Sequence, residues 1–520
     1  MIIICTFFVD LSFVNFIHKL INFILKMKKI ILFTLGMLLI ISCSKEDPTN
    51  MTEQTLESLD TQRLLSTKEI NSFIDAELKK GNQDIWRNAS AQVLWSAAVQ
   101  GNEVLSVGFG NKGESFSENR SPRLLEIIEN ISNVVASNEK TTKSEAIRAA
   151  DQILNVIDVN VTNLKTVEEL LKLPGIRYIE PIGYAEYNKS LQKSAGCSQE
   201  GQNINGNDYR MISPNTQLPW NYDIHKIPQA WNYSTGSGIT VGLIDTGLSA
   251  NQNLLGSGFN DGVSSGRSVQ RFGTYIDSIW WWSNNLDGPN DRCGHGTQMA
   301  SAIASPRNDN GMPVGVAYNS NLVAYRGTSD VLLDDYHERK GVSNALRAMG
   351  DRSDVKIISM SIGWVFSIGN IKDAVRYAHS RGKLIIAAGG TSTSFTNFVG
   401  VIFPANMNET VAVTGLRDDG LRCSNCHDGS KIDFTLIMQR AGNSDRNVPV
   451  LGFNNGTRSY VGGSSVATAM TAGIAALVWA RNPNMSREQV LDKLKRAGAN
   501  YPNRNSKFGY GNIDALKAVQ

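Results

Sequence analysis

Tyr460-Val461-Gly462-Gly463-Ser464-Ser465-Val466-Ala467-Thr468-Ala469-Met470-Thr471-Ala472-Gly473-Ile474-Ala475-Ala476-Leu477-Val478-Trp479-Ala480 is the stretch from which the rest of the chain can be read. Two glycines and two serines make a tight turn, and the run that follows has almost no polar face. The pattern predicts a buried helix entered directly from a turn. A serine in the first turn of such a helix sits beside free backbone N–H groups and the positive end of the helix dipole, where developing negative charge is favoured. That environment suits a nucleophile. Serine is also a preferred N-cap residue, so this stretch alone leaves Ser464 and Ser465 open between cap and nucleophile.

Two further stretches supply an acid and a base. Ile239-Thr240-Val241-Gly242-Leu243-Ile244-Asp245-Thr246-Gly247 is an apolar, β-branched run ending in an acid and a turn. It reads as a buried parallel strand with Asp245 at its carboxyl end, the edge that faces the ligand crevice of an open α/β sheet. In Cys293-Gly294-His295-Gly296-Thr297 a histidine lies between two glycines at the entry to a small-residue helix. The flanking glycines allow other backbone to approach the imidazole closely.

The order Asp, His, Ser in these contexts resembles the subtilisin-like (subtilase, S8) serine endopeptidases. Asp-Thr-Gly at 245–247, Gly-His-Gly-Thr at 294–297 and Gly-Ser-Ser-Val-Ala-Thr-Ala at 463–469 match the three signatures of that family. The last is a variant, with Ser464 for the usual Thr and Ala469 for the usual Pro. The resemblance implies Ser465 as nucleophile, His295 as general base and Asp245 as the group that orients it. It also implies an α/β fold with a doubly wound parallel sheet, preceded by a small α+β prodomain. The alternation of short apolar runs with helical stretches from about residue 215 onward points to the same sheet. Protein or peptide substrates are expected. Ser359-Met360-Ser361-Ile362-Gly363 resembles the edge that pairs with an extended substrate backbone.

Four segments are expected along the 520 residues. Residues 1–43 are a targeting region. Met27-Lys28-Lys29 and the apolar run to Ile41 have the form of a signal peptide, and Ile40-Ile41-Ser42-Cys43 resembles a bacterial lipoprotein box. That resemblance implies lipid attachment at Cys43 and a protein anchored to a membrane without spanning it. Ser44-Lys45-Glu46-Asp47 resembles the surface-export signals of Bacteroidetes lipoproteins. The expected location is the outer membrane or cell surface, with release after processing left open. The apolar stretch 1–26 is either a start assigned upstream of Met27 or an additional membrane segment. Residues 44–90 read as a tether with one helix, marked by the capping box Ser66-Thr67-Lys68-Glu69. Residues 91–190 read as the α+β prodomain, with Val167 to Pro181 similar to the end of a subtilase prodomain, and 200–520 as the catalytic domain. Processing is expected between Tyr187 and Asn205.

Composition bounds the partners. Lys and Arg number 51 against 48 Asp and Glu, with no basic block, so nothing points to nucleic acid. Cys197, Cys293, Cys423 and Cys426 suit one or two disulfides in an oxidising compartment, the pairing being open. Cys423-Ser424-Asn425-Cys426-His427 lacks a second Cys/His pair at metal-ligand spacing, so no metal or other cofactor is expected. Asp287-Gly288-Pro289-Asn290-Asp291 is acidic enough for structural calcium but is more simply read as a turn.

The oxyanion donor departs from the resemblance. Subtilases place an asparagine after an Ala-Ala-Gly strand end, and here Gly390 follows Ala387-Ala388-Gly389. Loss of one such donor costs roughly 10²–10³-fold in turnover in this enzyme class. Thr391, Ser392 and Asn397 are the candidate replacements. A subtilase-fold binding lipoprotein that has lost catalysis is the competing reading. Trp364 is a candidate for restricting the cleft, and the run Trp280-Trp281-Trp282 reads as either an aromatic subsite or, more simply, a packed surface insertion.

Overall fold

The computed structural model describes residues 63–189, 196–278, 283–391 and 400–520. Cys43, the lipoprotein box, Trp280–Trp282, Ser392 and Asn397 lie outside the described residues.

The N-terminal lobe begins with helix Thr67–Lys79 (α1), closed by the predicted capping box of Ser66 and Glu69. Ile70 and Ile74 are fully buried. The sequence pattern places this helix on a tether; it instead buries its apolar stripe in the lobe, because a stripe of that width needs a partner surface. Helix Ala91–Gln100 (α2), strand Val104–Phe109 (β1), helix Pro122–Glu139 (α3), strand Ile147–Ala150 (β2), strand Val156–Asn160 (β3), helix Leu164–Leu170 (α4) and strand Ile176–Glu180 (β4) follow. The strands form an antiparallel sheet in the order β2-β3-β1-β4. Neither α2 nor β2 stands out in the sequence pattern.

The C-terminal lobe is built on a parallel sheet, seven-stranded among the described residues. Its strands are Thr240–Asp245 (β5), Val269–Gly273 (β6), Asn321–Arg326 (β7), Val355–Met360 (β8), Leu384–Ala388 (β9), Thr410–Arg417 (β10) and Ile432–Gln439 (β11). In space they run β11-β10-β9-β8-β5-β7-β6. From β5 the chain passes to the edge strand β6, returns to β7 beside β5, and then crosses to β8 and winds outward through β9, β10 and β11, so the switch point lies between β5 and β8, at their carboxyl ends. Asp245 is the last residue of β5. Helices His295–Ala304 (α5), Tyr336–Asp351 (α6), Gly369–Ser380 (α7), Gly463–Arg481 (α8) and Arg487–Ala497 (α9) pack around the sheet. Helix α8 is long and apolar enough to cross a membrane by composition, but 83% of its apolar window is buried, and it serves as a core helix.

The two lobes share one apolar core in which Ile70, Tyr184 and Tyr187 meet Trp364 and Phe366. Around it the contact is ionic. Arg177 of β4 pairs with the fully buried Asp373 of α7 at 2.5 Å, and the Tyr178 hydroxyl donates to the same carboxylate at 3.1 Å. Glu180 accepts the Gly369 N–H at the start of α7 at 2.7 Å, where the helix dipole favours an anion. Lys340 pairs with Asp158 at 2.8 Å and Arg347 with Asp151 at 3.0 Å. Asp373 and Asp158 are fully buried and each is paired, so losing either partner would leave a buried charge uncompensated.

Candidate active site

The sequence reading of β5 and of the His295 turn is realised at the switch point. His295 Nδ1 lies 2.7 Å from Asp245 Oδ1, with both side chains buried. A carboxylate accepts only, so Nδ1 carries the hydrogen and Nε2 is the basic nitrogen when the ring is neutral. Burial would lower the imidazole pKa, but the charge of Asp245 and its hydrogen bond, with help from Asp291 and Asp330, hold it above the ordinary histidine value. The flanking glycines are needed where they stand. A Cβ on Gly294, at φ +100°, would come 2.1 Å from Ser198 O, and one on Gly296 would come 2.3 Å from Gly247 O.

A second acid organises this turn. Asp291 Oδ1 accepts from Thr246 Oγ1, Cys293 N and Gly294 N at 2.8–2.9 Å, and its Oδ2 accepts from Thr297 N at 3.0 Å and Thr297 Oγ1 at 2.6 Å. The local sequence around Asp291 reads as an acidic turn or a calcium site; its carboxylate is instead saturated by donors of the histidine turn. Asp287 is likewise taken, paired with Arg292 at 2.7 Å and Arg326 at 2.6 Å. Asp291→Asn is expected to lower stability by about 2–4 kcal/mol, because its NH₂ would face the two Thr297 donors and leave buried groups unpaired. Denaturant unfolding with an unchanged m-value would check this; a change under about 1 kcal/mol, the net worth of one hydrogen bond, would count against it.

The serines divide clearly. Ser464 is buried, and its Oγ accepts from Gly390 N at 3.1 Å and meets Thr391 Oγ1 at 3.1 Å. Ser465 is half-buried, and its carbonyl accepts from Ser361 Oγ at 3.0 Å, just past the end of β8. The N-cap of α8 is Gly462, with no side-chain cap. Neither serine caps the helix; of its first-turn amides, Ser464 N is taken by the Thr391 hydroxyl rather than by an N-cap side chain. Thr391, a candidate oxyanion donor, is exposed and accepts from Ser464 N at 3.2 Å.

Of the one or two disulfides expected from composition, two are present, Cys197–Cys293 and Cys423–Cys426. The first ties the segment after the N-terminal lobe to the turn that carries His295. That segment then runs to strand Arg458–Val461, with Gln202 N donating to Arg458 O at 2.7 Å.

A scan against protein families matches the subtilase family over residues 236–511. This chain belongs to that family. The subtilase is 28% identical over 380 residues to the thermostable alkaline protease of Halalkalibacterium halodurans, covering 71% of this chain and 92% of that protein. It is 27% identical over 309 residues to Subtilisin Savinase of Lederbergia lenta, covering 58% and 99% respectively. Among solved structures, MycP1 with its N-terminal propeptide removed aligns with a TM-score of 0.46 at 19% identity, covering 58% of this chain and 98% of that one. The subtilase is thus a serine endopeptidase, and its substrates are proteins.

Two expectations about the cleft are corrected. The edge read as a substrate-pairing strand is already occupied at Gly363, whose N–H donates to Val331 O at 3.0 Å and whose carbonyl accepts from Leu333 N at 3.2 Å. Trp364 exchanges both backbone bonds with Phe403. An unpaired edge recruits the nearest backbone, and sequence does not show which loop that is. The Trp364 ring, expected to narrow the cleft, is 1% exposed and packs edge-on against Tyr187 and Phe366. As for cations, Asp334, Asp335 and Glu338 converge within 4.8 Å. The Glu338 oxygens are committed to Ser329 Oγ, Thr328 Oγ1 and Asp334 N.

Proposed function

We propose that this subtilase cleaves peptide bonds through a triad of Ser465, His295 and Asp245, and that it is made as a zymogen. The observation that carries the reading is the buried Asp245–His295 pair at the sheet's switch point, with helix α8, which begins at Gly463, packed on α5 and β5. In this mechanism Ser465 Oγ attacks the carbonyl carbon while His295 Nε2 takes its proton. The imidazolium is stabilised by Asp245, and the proton then passes to the leaving amine. Water repeats the sequence on the acyl-enzyme. The oxyanion is held by the Ser465 N–H at the positive end of α8 and by the Thr391 hydroxyl.

The N-terminal lobe acts as the prodomain, and its ion pairs with α6 and α7 are a reason for it to remain docked after cleavage. Cleavage falls between Tyr187 and Asn205. A cut ahead of Cys197 would leave the new N-terminus bound to the histidine turn through Cys197–Cys293. Export and a lipid on Cys43 would anchor the protein at the outer membrane or cell surface, with two disulfides in keeping with an oxidising compartment.

Labelling with a fluorophosphonate, followed by mass mapping, tests the proposal. The label is expected on Ser465, and the labelled wild-type polypeptide is expected to lack the region before about Tyr187, whether or not that region stays bound as a separate fragment, while Ser465→Ala keeps it in one chain. A folded, processed protein that takes no label would instead favour a binding lipoprotein with the subtilase fold, the reading that Gly390 motivates.

A further inference from the structure

We propose that the Cys423–Cys426 turn and His427 are positioning elements that hold Thr391 as the oxyanion donor in place of the side chain absent at Gly390. This rests on the triad proposed above. Gly390 has φ +125°, a backbone conformation that side chains rarely adopt, and a Cβ built there would lie 2.6 Å from His427 Nδ1. The imidazole thus fills the space an asparagine at 390 would need. It is held in place by its surroundings: Nδ1 donates to Gly400 O, the His427 N–H donates to Gly390 O at 2.9 Å, and the His427 carbonyl accepts from Thr414 Oγ1 at 2.6 Å. Burial keeps the ring neutral by lowering its pKa. One residue earlier, Cys426 pairs with Thr391 in an antiparallel bridge, and the disulfide to Cys423 closes the turn behind it.

The donors and acceptors around Thr391 allow its proton to point outward. Ser464 Oγ accepts from Gly390 N and shares one hydrogen with Thr391 Oγ1, which also accepts from Ser464 N. In the orientation in which Ser464 is the donor, both acceptor positions of Thr391 are filled and its single O–H is left to donate outward, and the oxyanion role of Thr391 requires this orientation. Ser464 and Ser465 are adjacent, so that donor stands over the turn from which the nucleophile rises. Gly390 is in this sense required by the loop, and the departure from the family pattern is a different construction of the same oxyanion site.

The test is a double-mutant cycle on the processed enzyme with a chromogenic peptide. Thr391→Val is expected to lower kcat on the order of 10²-fold with KM little changed, while fluorophosphonate still labels Ser465. His427→Ala is expected to lower kcat about tenfold in the wild-type background and to have no further effect in Thr391→Val, because it acts through Thr391. Should His427→Ala fold poorly, Cys423→Ser/Cys426→Ser serves as the second probe, with the same expectation. The inference is overturned if Thr391→Val leaves kcat unchanged, or if the losses multiply across the two backgrounds. Absence of labelling in the wild type would remove the triad reading along with it, whereas labelling with an inert Thr391→Val removes only this inference.

Discussion

Ser465→Ala is expected to reduce peptide hydrolysis by about 10⁶-fold, His295→Ala by a similar factor, and the double replacement by no more than either alone. The reason is that nucleophile and base act as a unit. Without the Ser465 hydroxyl, His295 has no proton to take, and without His295 the hydroxyl is a poor nucleophile at neutral pH. Binding and the oxyanion donors would still accelerate hydrolysis by about 10³–10⁴ over water, so the residual rate should be small and measurable. A loss of only about tenfold in Ser465→Ala would mean that another group attacks. Ser464 is a weak candidate, since its Oγ is buried against Gly390 N and Thr391.

Asp245→Asn is expected to lower kcat by about 10⁴-fold and to shift the acid limb of the pH profile downward. The amide NH₂ would face Nδ1, favouring the tautomer with its hydrogen on Nε2, which cannot accept the Ser465 proton. The pH shift follows from the surroundings of His295. Burial alone would lower its pKa, and the charge of Asp245 does most to raise it. The base works when neutral, so wild-type activity should rise with pH through a midpoint above the ordinary histidine value of about 6.5. Removing the charge leaves burial dominant, and the midpoint falls. Stability carries the matching sign: the Asp245–His295 pair stabilises fully below the unfolded-state pKa, and that contribution fades as pH rises through the folded-state value. A pH–rate profile of both enzymes checks the shift; an unmoved midpoint in Asp245→Asn would mean that Asp245 does not set the base.

The sequence by itself was enough to single out the positions proposed to carry the chemistry of this subtilase. Each of Asp245, His295 and Ser465 sits in a local pattern whose physics is short-range: a buried strand that ends in an acid, a histidine between glycines, a serine at the mouth of an apolar helix. Such patterns are legible because neighbouring residues impose them. The main strands flanking the switch point are legible for the same reason, being continuous β-branched runs.

The tertiary structure decided what depends on contacts between distant segments. Asp291 looks like one more acid in a turn until Thr246, Cys293, Gly294 and Thr297 are seen to converge on it. The helix Thr67–Lys79 has the same apolar stripe whether tethered or docked, and its partner surface comes from residues far along the chain. The pairing of Gly363 with the Val331–Leu333 backbone and the fit of His427 against Gly390 follow from loop paths, which no local preference encodes. Gly390 is the clearest case. In sequence it is a missing donor, and in three dimensions it is the one residue that leaves room for the imidazole beside it.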